Sequence, residues 1–559
     1  KDLDDRLVPT GEYRNAQNIS ISRSEGSDVG ALENILGNTI LNNQEDLDID
    51  NLDVIGFLAD DATNYIYLFF SDYVDSSDSG IANFAPVGSN CIIARYNTLQ
   101  SENSSIEILV QGNFLNFAKN NPITGVNLLE ELLFWTDNRN QPRKINVSDA
   151  AALSNYYTTE NTISVAKPAP LYPIYLSNIA QGLPLESTMI NPSEEFLPDG
   201  ANNPEYIANW PGDPNFLKDK FIRFSYRYKF DDGEYSLMAP FTQTCFIPRQ
   251  QGYFIGDDQF ETYRSTVVKF VENNVTQIGL NLLLETQNLE NDLHVKSIDI
   301  LYKESDQISV KLVETINVSD VIENMKSNVN KNVYNFVYTS DKPYRTLPQD
   351  QTTRVYDQVP VRALAQEVIS NRIVYGNFYD KMSPPASIKY GLGYSEKQYN
   401  VSSSNPQSQS EYPNHTVKQN RNYQAGIILS DKFGRQSSVI LSSKDGGDLD
   451  LNVQYGGSTI YVPYYKEAPS TIRDWVGYAL RVRFESSIPE FESTTPGYPG
   501  LYSETNPLGW YSYKVVVRQQ EQDYYNVYLP GILNGYPNRQ GVELNETANI
   551  VLINDNINK

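Results

Sequence analysis

Histidine and serine provide the first test for catalytic chemistry in this chain. A nucleophilic serine needs a histidine base that an acid holds in place, and the 559 residues include only two histidines, His294 and His415. His415 stands in a polar stretch, and His294 follows Leu-Glu-Asn-Asp-Leu, a pattern typical of a turn. The sequence contains no G-x-S-x-G nucleophile elbow. We therefore interpret both histidines as solvated loop residues and expect the chain not to be an enzyme.

Acidic clusters provide the second test, because hard metal ions bind through carboxylate oxygens. The segment 45–53 places three acids at alternate positions: Asp46, Asp48 and Asp50. An EF-hand loop would have Gly at its sixth position and Glu at its twelfth, where this chain has Asn51 and Phe57. The acidic turn at 445–452 also lacks a full ligand set, and no Cys/His pair has zinc spacing. We assign no catalytic, cofactor-binding or metal-binding residue, and no cofactor.

Carbohydrate chemistry cannot be located from the sequence. A glycosidase needs two carboxylates that face each other across a cleft, and 69 Asp and Glu residues give no basis for choosing a pair. The Tyr-dense stretches 461–466 and 524–531 fit a sugar-binding surface, ordinary strand packing or a subunit contact. All three interpretations stay open.

The elements that would position any site are predicted to be β-strands. Tyrosine occurs 40 times and charged residues make up only 20% of the chain, a composition that suits half-buried pleated surfaces. Apolar runs bounded by polar turns predict strands at 65–71, 91–97 and 105–112. The best helix is predicted at 319–329, with Ser319 as its N-cap. The predicted fold is mainly β, with a β-propeller-like domain interrupted by inserted Ig/fibronectin-like β-sandwich modules.

The stretch ELLFWTDNRNQPRKINV, residues 131–147, is either a small basic patch or a strand–turn–strand unit. The strand–turn–strand interpretation is the better one, because three cations on one turn make a poor phosphate site alone. Trp135 would then pack between propeller blades, Asp137 would accept backbone N–H bonds, and Pro142 would need no ladder hydrogen bond. The cations would pair with acids of a neighbouring blade or subunit: Arg139, Arg143 and Lys144.

Two later parts of the chain resemble each other. Residues 223–241 read as strand, acidic turn, Ser and strand, and residues 422–441 repeat this plan with one extra turn residue. In each half a later strand leads into a Gln-rich and acid-rich turn, at 297–316 and at 511–530. This weak similarity predicts two related β-sandwich modules, with the pair of strands at 367–380 lying between them.

These patterns predict a five-part chain. The parts are propeller blades at 1–165, a linker or surface excursion at 166–220, a β-sandwich module at 221–350, propeller return strands at 351–420, and a second β-sandwich-like module at 421–559. The chain begins without Met and ends inside a strand-like run, so we expect it to be part of a longer protein.

The charge balance limits the possible partners. A formal net charge of −25 makes non-specific DNA binding over the whole surface unfavourable, whereas a wall past which DNA slides can use that repulsion. Charge alone does not separate a conduit from an ordinary acidic protein. Cys91 and Cys245 are expected to be reduced core residues. No stretch approaches the roughly 18 apolar residues of a membrane span.

Several segments together resemble one protein family. The segments are PTGEYRNAQNISISRSEGSDVGALENILGN, LLFWTDNRNQPRKINV, NRIVYGNFYD, SDKFGRQSSV and YKVVVRQQEQDYYNVYLPG, which run from the N-terminal region to residue 531. They look like the tail muzzle or nozzle (stabilisation-type) proteins of crAss-like short-tailed bacteriophages. None of the segments is an active-site motif, so the resemblance rests on their number and order.

The resemblance implies a structural protein of the phage tail. Such a protein forms a homo-oligomeric ring, here expected to be six-fold, that contacts other tail and adaptor ring proteins. Genomic DNA and cargo proteins would pass through the ring, and the loops at 189–217 and 490–509 are candidates for a gate or for plain surface loops. The alternatives are a host-surface glycan-binding tail module and a propeller glycosidase.

Overall fold

The structure is a computed structural model, and it describes most of the chain with gaps. The described residues are 17–21, 32–34, 51–76, 84–99, 106–177, 195, 200, 202–203, 206, 208–209, 212–213, 215–242, 244–245, 248–252, 268–273, 275, 277–284, 289–327, 332–339, 343, 345–353, 359–370, 372–396, 417–444, 448–450, 453–463, 478–487, 500–503, 506, 508–519, 531–534 and 549–552.

The described part is built almost entirely of β-strands. Those before residue 200 are β1 (Ile19–Ile21), β2 (Leu32–Asn34), β3 (Asp53–Asp60), β4 (Tyr65–Ser71), β5 (Cys91–Asn97), β6 (Glu107–Gln111), β7 (Gly125–Leu129), β8 (Leu132–Thr136), β9 (Arg143–Asn146) and β10 (Tyr175–Ser177). Those of the middle part are β11 (Ile222–Phe230), β12 (Pro248–Gly252), β13 (Val268–Asn273), β14 (Ile278–Leu283), β15 (Val295–Glu304), β16 (Val310–Asn317), β17 (Val333–Tyr338), β18 (Arg345–Thr346), β19 (Arg362–Ile369) and β20 (Arg372–Tyr379).

The last part continues in the same way. Its strands are β21 (Tyr390–Glu396), β22 (Arg421–Ser430), β23 (Asp448–Asp450), β24 (Val453–Tyr455), β25 (Thr459–Val462), β26 (Tyr478–Phe484), β27 (Ser512–Gln519), β28 (Gly531–Asn534) and β29 (Asn549–Leu552). Short helices occur at Val147–Ala152, Glu160–Ile163, Val318–Ser327 and Gln349–Thr353. The prediction of a mainly β protein is confirmed.

Backbone contacts divide the chain into two units. Unit 1 combines Lys1–Lys167, Asn291–His294 and Gln358–Asp380, and unit 2 combines Pro168–Glu290, Val295–Asp357 and Lys381–Lys559. Unit 1 is therefore assembled from three separate stretches of chain. The five-part division and its boundaries stay a prediction.

Unit 1 contains two antiparallel sheets that share a core. The order of the first is β3-β4-β5-β6, and the order of the second is β7-β8-β9. Alternation along β4 turns Tyr67 and Phe69 into the core, where Phe69 meets Phe117 and Trp135. Packing large aromatic rings edge to face buries much apolar area, and it fixes how the two sheets meet.

The hairpin β19–β20 is also part of unit 1 and attaches to the second sheet. The hydroxyl of Thr136 donates to the carbonyl oxygen of Ala363 at 2.5 Å, and the Asn138 N–H donates to the same oxygen at 3.0 Å. The Thr124 hydroxyl donates to the carbonyl oxygen of Leu364. The predicted pair of strands at 367–380 is thus present as a hairpin.

Unit 2 contains two pairs of sheets with related strand order. In the first, β11-β15-β16-β18 packs against β10-β14-β17 through the rings of Phe224, Tyr302 and Tyr338. In the second, β25-β22-β27 packs against β21-β26, where Ile427 and Leu429 contact Tyr390. We call β10, β11, β14 and β15 the first repeat, and β21, β22, β26 and β27 the second repeat.

Each repeat contains the same kind of turn, and the hydrogen bonds of the two turns are equivalent. The N–H of Tyr228 donates to Ser236 Oγ at 2.9 Å, and the N–H of Leu429 donates to Ser437 Oγ at 3.0 Å. Each Ser N–H returns a bond to the strand carbonyl oxygen, at 3.0 and 2.8 Å. The two residues joined by this bond are equally far apart in sequence in both repeats. The prediction of one extra turn residue in the second repeat is therefore wrong. Both turns have the same length.

Several other predictions can be compared with the described residues. The predicted helix is present, but it begins at Val318, so Ser319 lies inside its first turn and is not the N-cap. Cys91 and Cys245 are free and buried, as expected, and burial raises the pKa of both thiols. Across the described ranges we find no helix long and apolar enough to cross a membrane.

Some predicted features lie outside the described residues. They are His415, Asp46, Asp48, Asp50, most of the loop at 189–217, and residues 490–499 and 520–530.

Candidate functional site

The loop between β8 and β9, residues 137–142, is organised by one carboxylate. Asp137 Oδ1 accepts the backbone N–H bonds of Arg139 at 2.9 Å and Asn140 at 2.7 Å, and Asp137 Oδ2 accepts from Asn140 Nδ2 at 2.6 Å. Asn138 adopts a left-handed conformation with φ of 56°, which Asn tolerates better than most residues. The prediction that Asp137 fixes the turn through backbone N–H bonds is confirmed.

Trp135 precedes this loop and packs between the two sheets of unit 1. Its ring centroid lies 5.8 Å from that of Phe69 and 6.3 Å from that of Phe117. Phe69 belongs to β4, so the Trp135 side chain joins one sheet to the other. Trp135 was predicted to pack between propeller blades; it packs between two sheets, and their identity as propeller blades stays a prediction.

Arg139 lies buried inside unit 1, and its guanidinium is held on several sides. It forms an ion pair with Asp75, and its Nε donates to the Asn116 carbonyl oxygen at 3.0 Å. Its Nη2 donates to Asn116 Oδ1 at 3.1 Å, and the Tyr73 ring lies 5.5 Å from its Cζ. Bonds to charged and carbonyl oxygens replace the water that the guanidinium would otherwise bind.

Arg143 is likewise buried and paired within unit 1. Its Nη2 lies 3.2 Å from Glu160 Oε1, and its Nη1 donates to the Leu115 carbonyl oxygen. Glu160 comes from the short helix Glu160–Ile163, and Gln141 Nε2 also donates to Glu160 Oε1 at 3.2 Å. Lys144 is buried as well.

Asn116 connects the loop to the backbone at Ala85. It has a φ of 48°, its Oδ1 accepts the Ala85 N–H at 2.8 Å, and its Nδ2 donates to Asn140 Oδ1 at 2.6 Å. Its carbonyl oxygen accepts from Arg139 and Asn140. We call the set Asp75, Asn116, Asp137, Arg139, Asn140, Arg143 and Glu160 the loop network.

The loop network rules out an exposed basic patch at this loop. Arg139 and Arg143 are buried and bind acids of the same chain, so neither lies on the surface to meet phosphate. The prediction offered acids of a neighbouring blade or of a neighbouring subunit as their partners, and the subunit alternative is wrong for Arg139 and Arg143. The arrangement pairs most of the polar groups of the loop in the interior, which specifies the position of the loop, while Arg143 Nε and Glu160 Oε2 have no hydrogen-bond partner among the described residues.

Unit 2 contains comparable buried ion pairs that the sequence did not reveal. Asp431 Oδ1 accepts the N–H bonds of Phe433 at 3.0 Å and Arg435 at 2.9 Å, and Asp431 Oδ2 accepts from Arg435 Nε at 2.6 Å. Across β11 and β15, Arg227 Nε lies 3.0 Å from Asp299 Oδ2. The sequence does show opposite charges in the two predicted strands. Only the strand register shows which of these charges form a pair.

His294 lies in a different environment from the one predicted. Its ring centroid is 4.3 Å from that of Tyr156 and 6.0 Å from that of Tyr157, and its Nε2 lies 3.1 Å from the Tyr156 carbonyl oxygen. The side chain is half-buried and packed, so the prediction of a solvated loop histidine is wrong here. Packing on tyrosines with a carbonyl partner gives the ring a structural role.

Among the residues that the structure describes, no group of three or more His, Cys, Asp or Glu side chains is placed to hold a metal ion.

The Tyr-dense stretch at 461–466 begins with Tyr461, whose ring is exposed. The Tyr461 hydroxyl donates to Asn420 Oδ1.

A family model matches the first part of the chain. Residues 1–277 match the family model described as "Crassvirus muzzle protein". The matched range includes both sheets of unit 1 and the loop network. No curated protein matches the chain.

Proposed function

Over residues 1–277 the chain belongs to the family of crassvirus muzzle proteins, which are components of the virion tail, and from this we propose that it builds the distal nozzle. The match over residues 1–277 is the observation that carries the proposal. The role would be structural, and we propose that the protein catalyses no reaction. The resemblance seen in the sequence is confirmed by that match.

The character of the described residues supports a structural role. Buried cations of the loop network are paired within the chain, and the small antiparallel sheets share aromatic cores. Such an interior resists local opening, as a protein must when packaged DNA presses against it. We further propose that the sheets of unit 1 are blades of a propeller-like domain and that the repeats of unit 2 are Ig/fibronectin-like inserts.

The finer proposal is a ring that acts as conduit and gate. Copies of the chain would meet through heterologous surfaces that close a ring, for which we propose six subunits. Other tail and adaptor ring proteins would bind its faces, and genomic DNA and cargo proteins would pass through its lumen. The net charge of −25 supports this proposal, because an acidic wall does not retain DNA.

The assembly state of the purified full chain tests the proposal. Electron microscopy and sedimentation are expected to show a closed ring with a central channel. A protein that stays monomeric at every concentration and salt tested, with no channel, would overturn it. Glycan arrays and polysaccharide digestion provide the comparison, because the rival interpretations are a host-glycan binder and a glycosidase. Tight glycan binding, or hydrolysis lost on changing one carboxylate, by a ringless protein would support a rival.

A further inference from the structure

The two repeats of unit 2 differ at three equivalent positions of β15 and β27. Register pairs Tyr226 with Ile300 in the first repeat and Ile427 with Val515 in the second. Because Tyr226 and Ile427 occupy the same place in the shared turn and strand, Ile300 and Val515 are equivalent. The residues two positions before and after them are then equivalent too: Ile298 with Tyr513, and Tyr302 with Val517.

The three positions are buried in the first repeat and exposed in the second. Ile298, Ile300 and Tyr302 are all 0% exposed, whereas Tyr513, Val515 and Val517 are 54%, 40% and 51% exposed. Phe484 on β26, whose ring centroid lies 5.2 Å from that of Tyr513, is 38% exposed. We call Phe484, Tyr513, Val515 and Val517 the open side of the second repeat. Burying apolar side chains of this kind is favourable, because it removes apolar surface from water.

The cover of the first repeat comes from strands that follow β15 in the chain. β16 pairs along the outer edge of β15, from Ser297 with Asn317 to Lys303 with Val310. β17 extends the facing sheet, where Tyr338 packs against Tyr302. Within the described residues, β27 pairs only with β22, and β26 pairs only with β21. Among those residues, no strand pairs with β27 or β26 in the way that β16 pairs with β15 and β17 with β14.

The chain after β27 supplies a candidate of matching position. The shift of 215 residues that relates β15 to β27 carries β17 onto residues 548–553, where β29 lies, and carries β16 onto 525–532, where β28 begins. β28 and β29 pair as an antiparallel hairpin with the apolar sequences Gly-Ile-Leu-Asn and Asn-Ile-Val-Leu. A lone two-stranded hairpin is marginally stable in water, so it gains stability by packing on another apolar surface.

We propose that the β28–β29 hairpin of the same chain docks on the open side of the second repeat. One strand of the hairpin lies along the free edge of β27, as β16 lies along β15, and the hairpin covers Tyr513, Val515 and Val517. The arrangement differs from the first repeat in one respect, because β28 and β29 pair with each other whereas β16 and β17 belong to different sheets. The eleven residues from 520 to 530 connect β27 to the hairpin, and an extended chain spans about 3.3 Å per residue. The proposal rests on the repeat in unit 2, and it holds whether or not the chain forms a tail ring.

Hydrogen exchange of the full chain tests the docking. Backbone N–H groups of β27 that point away from β22 are expected to exchange at least about tenfold more slowly in the full chain than in a version ending at residue 530. A version ending at residue 552 retains the hairpin and is the matched control. Peptides from β15 must exchange equally in all three proteins. Equal β27 exchange with and without the hairpin would overturn the proposal, and so would protection that is lost when the full chain is diluted.

A cysteine pair in the full chain provides a second test that needs no truncation. Val517→Cys and Ile550→Cys are joined with a short bismaleimide, which adds to both thiols without any oxidant, while the native Cys91 and Cys245 are buried. Mass spectrometry of a mixture of ¹⁴N and ¹⁵N copies separates the products, and Val517→Cys alone gives the background. A cross-link within one copy supports the proposal. A cross-link between copies would assign the cover to a second copy, and the absence of any cross-link would leave the open side uncovered. Either result overturns the proposal.

Discussion

At the scale of single residues, the buried arginines of the described part of unit 1 form ion pairs with acids of the same unit. Burying a guanidinium costs several kcal/mol unless other oxygen atoms replace its water. Arg139 and Arg143 meet this requirement with Asp75, Glu160 and backbone carbonyl oxygens. Removing one acid therefore leaves a buried cation uncompensated, which costs more than the pair itself contributes.

The first prediction concerns Glu160→Gln. We expect a loss of about 3–5 kcal/mol in the free energy of unfolding of unit 1, because the charge of Arg143 stays buried without its acid. Glu107→Gln is the matched control, since Glu107 pairs with Arg95 at 2.7 Å but is half-exposed, and about 1 kcal/mol or less is expected. Hydrogen exchange of unit 1 peptides in urea measures both. Equal losses for the two variants would contradict the prediction.

The second prediction concerns Tyr302 and alkaline pH. Burial, together with the nearby charge of Glu304, raises the pKa of the Tyr302 hydroxyl well above its usual value. The folded state therefore keeps the proton while the unfolded state releases it, so stability is full below the unfolded pKa of about 10 and falls as pH rises beyond it.

Tyr302→Phe is expected to remove part of this alkaline loss. At neutral pH the variant loses the hydrogen bond from the Tyr302 hydroxyl to Glu304 Oε1, at 3.2 Å, and so loses roughly 1 kcal/mol. Above about pH 10 its stability should fall less steeply than that of the native chain. Unfolding free energies between about pH 9 and pH 11 provide the measurement. An unchanged slope would show that Tyr302 does not contribute.

Sequence patterns predicted some of these side chains and missed others for a physical reason. Asp137 was predicted correctly because an Asp that caps its own turn acts over two or three residues. Arg139 and Asp75 are 64 residues apart, and their pairing depends on how two sheets pack. The sequence thus indicated the turn and the pairing of its cations with acids, but it did not identify which acids.

At the scale of secondary-structure elements, the repeated turn of unit 2 is the most informative feature. Gly233 and Gly434 occupy the same place in it, with φ of 81° and 83°. A Cβ on Gly233 would meet nothing within 4 Å, whereas a Cβ on Gly434 would overlap Leu237 Cδ1. A side chain at either position would therefore strain the backbone equally, but only the one at Gly434 would also collide with a neighbouring side chain.

The third prediction uses this pair of glycines. Gly233→Ala is expected to cost about 1–2 kcal/mol, because an L-residue resists the left-handed conformation. Gly434→Ala should cost roughly 1–3 kcal/mol more, since Leu237 must move out of a packed site. Urea unfolding followed by exchange of unit 2 peptides measures both. If the Gly233 variant were the less stable of the two, the assigned contact with Leu237 would be wrong.

Strand positions were predictable because they depend on local alternation. The strands predicted at 65–71 and 91–97 have the observed bounds of β4 and β5, and the one at 105–112 contains β6. The similarity between the two repeats was also visible, but its alignment failed by one residue. Apolar runs mark strand ends loosely, whereas the matching Ser hydrogen bonds that fix the alignment exist only in the folded turn.

At the scale of the whole molecule, net charge opposes self-association. Each copy carries −25, and like charges repel over about 10 Å at 0.1 M salt. An assembly of such copies must overcome this repulsion with apolar and hydrogen-bonded contacts. Because Arg139 and Arg143 form ion pairs with acids of unit 1, they contribute nothing to attraction between copies.

The fourth prediction follows from that balance. Ring formation by the full chain should strengthen when salt rises from about 0.02 M to about 0.3 M, because screening weakens the repulsion between copies. Sedimentation over this range measures the effect, and sucrose at equal osmolality controls for general exclusion. Rings that dissociate as salt rises would show that ion pairs between copies dominate instead.

The composition of unit 1 has a consequence for how the protein is made. Its second sheet is complete at β9, but the Ala363 carbonyl oxygen that Thr136 and Asn138 bind emerges from the ribosome about 200 residues later. At roughly 5–20 residues per second, this delay is about 10–40 s. During that interval β7 and β8 remain without their contacts to β19 while the segments of unit 2 are being synthesised. A premature stop between residues 167 and 358 would therefore release a chain whose unit 1 lacks its last hairpin, and a slowed ribosome would lengthen the delay.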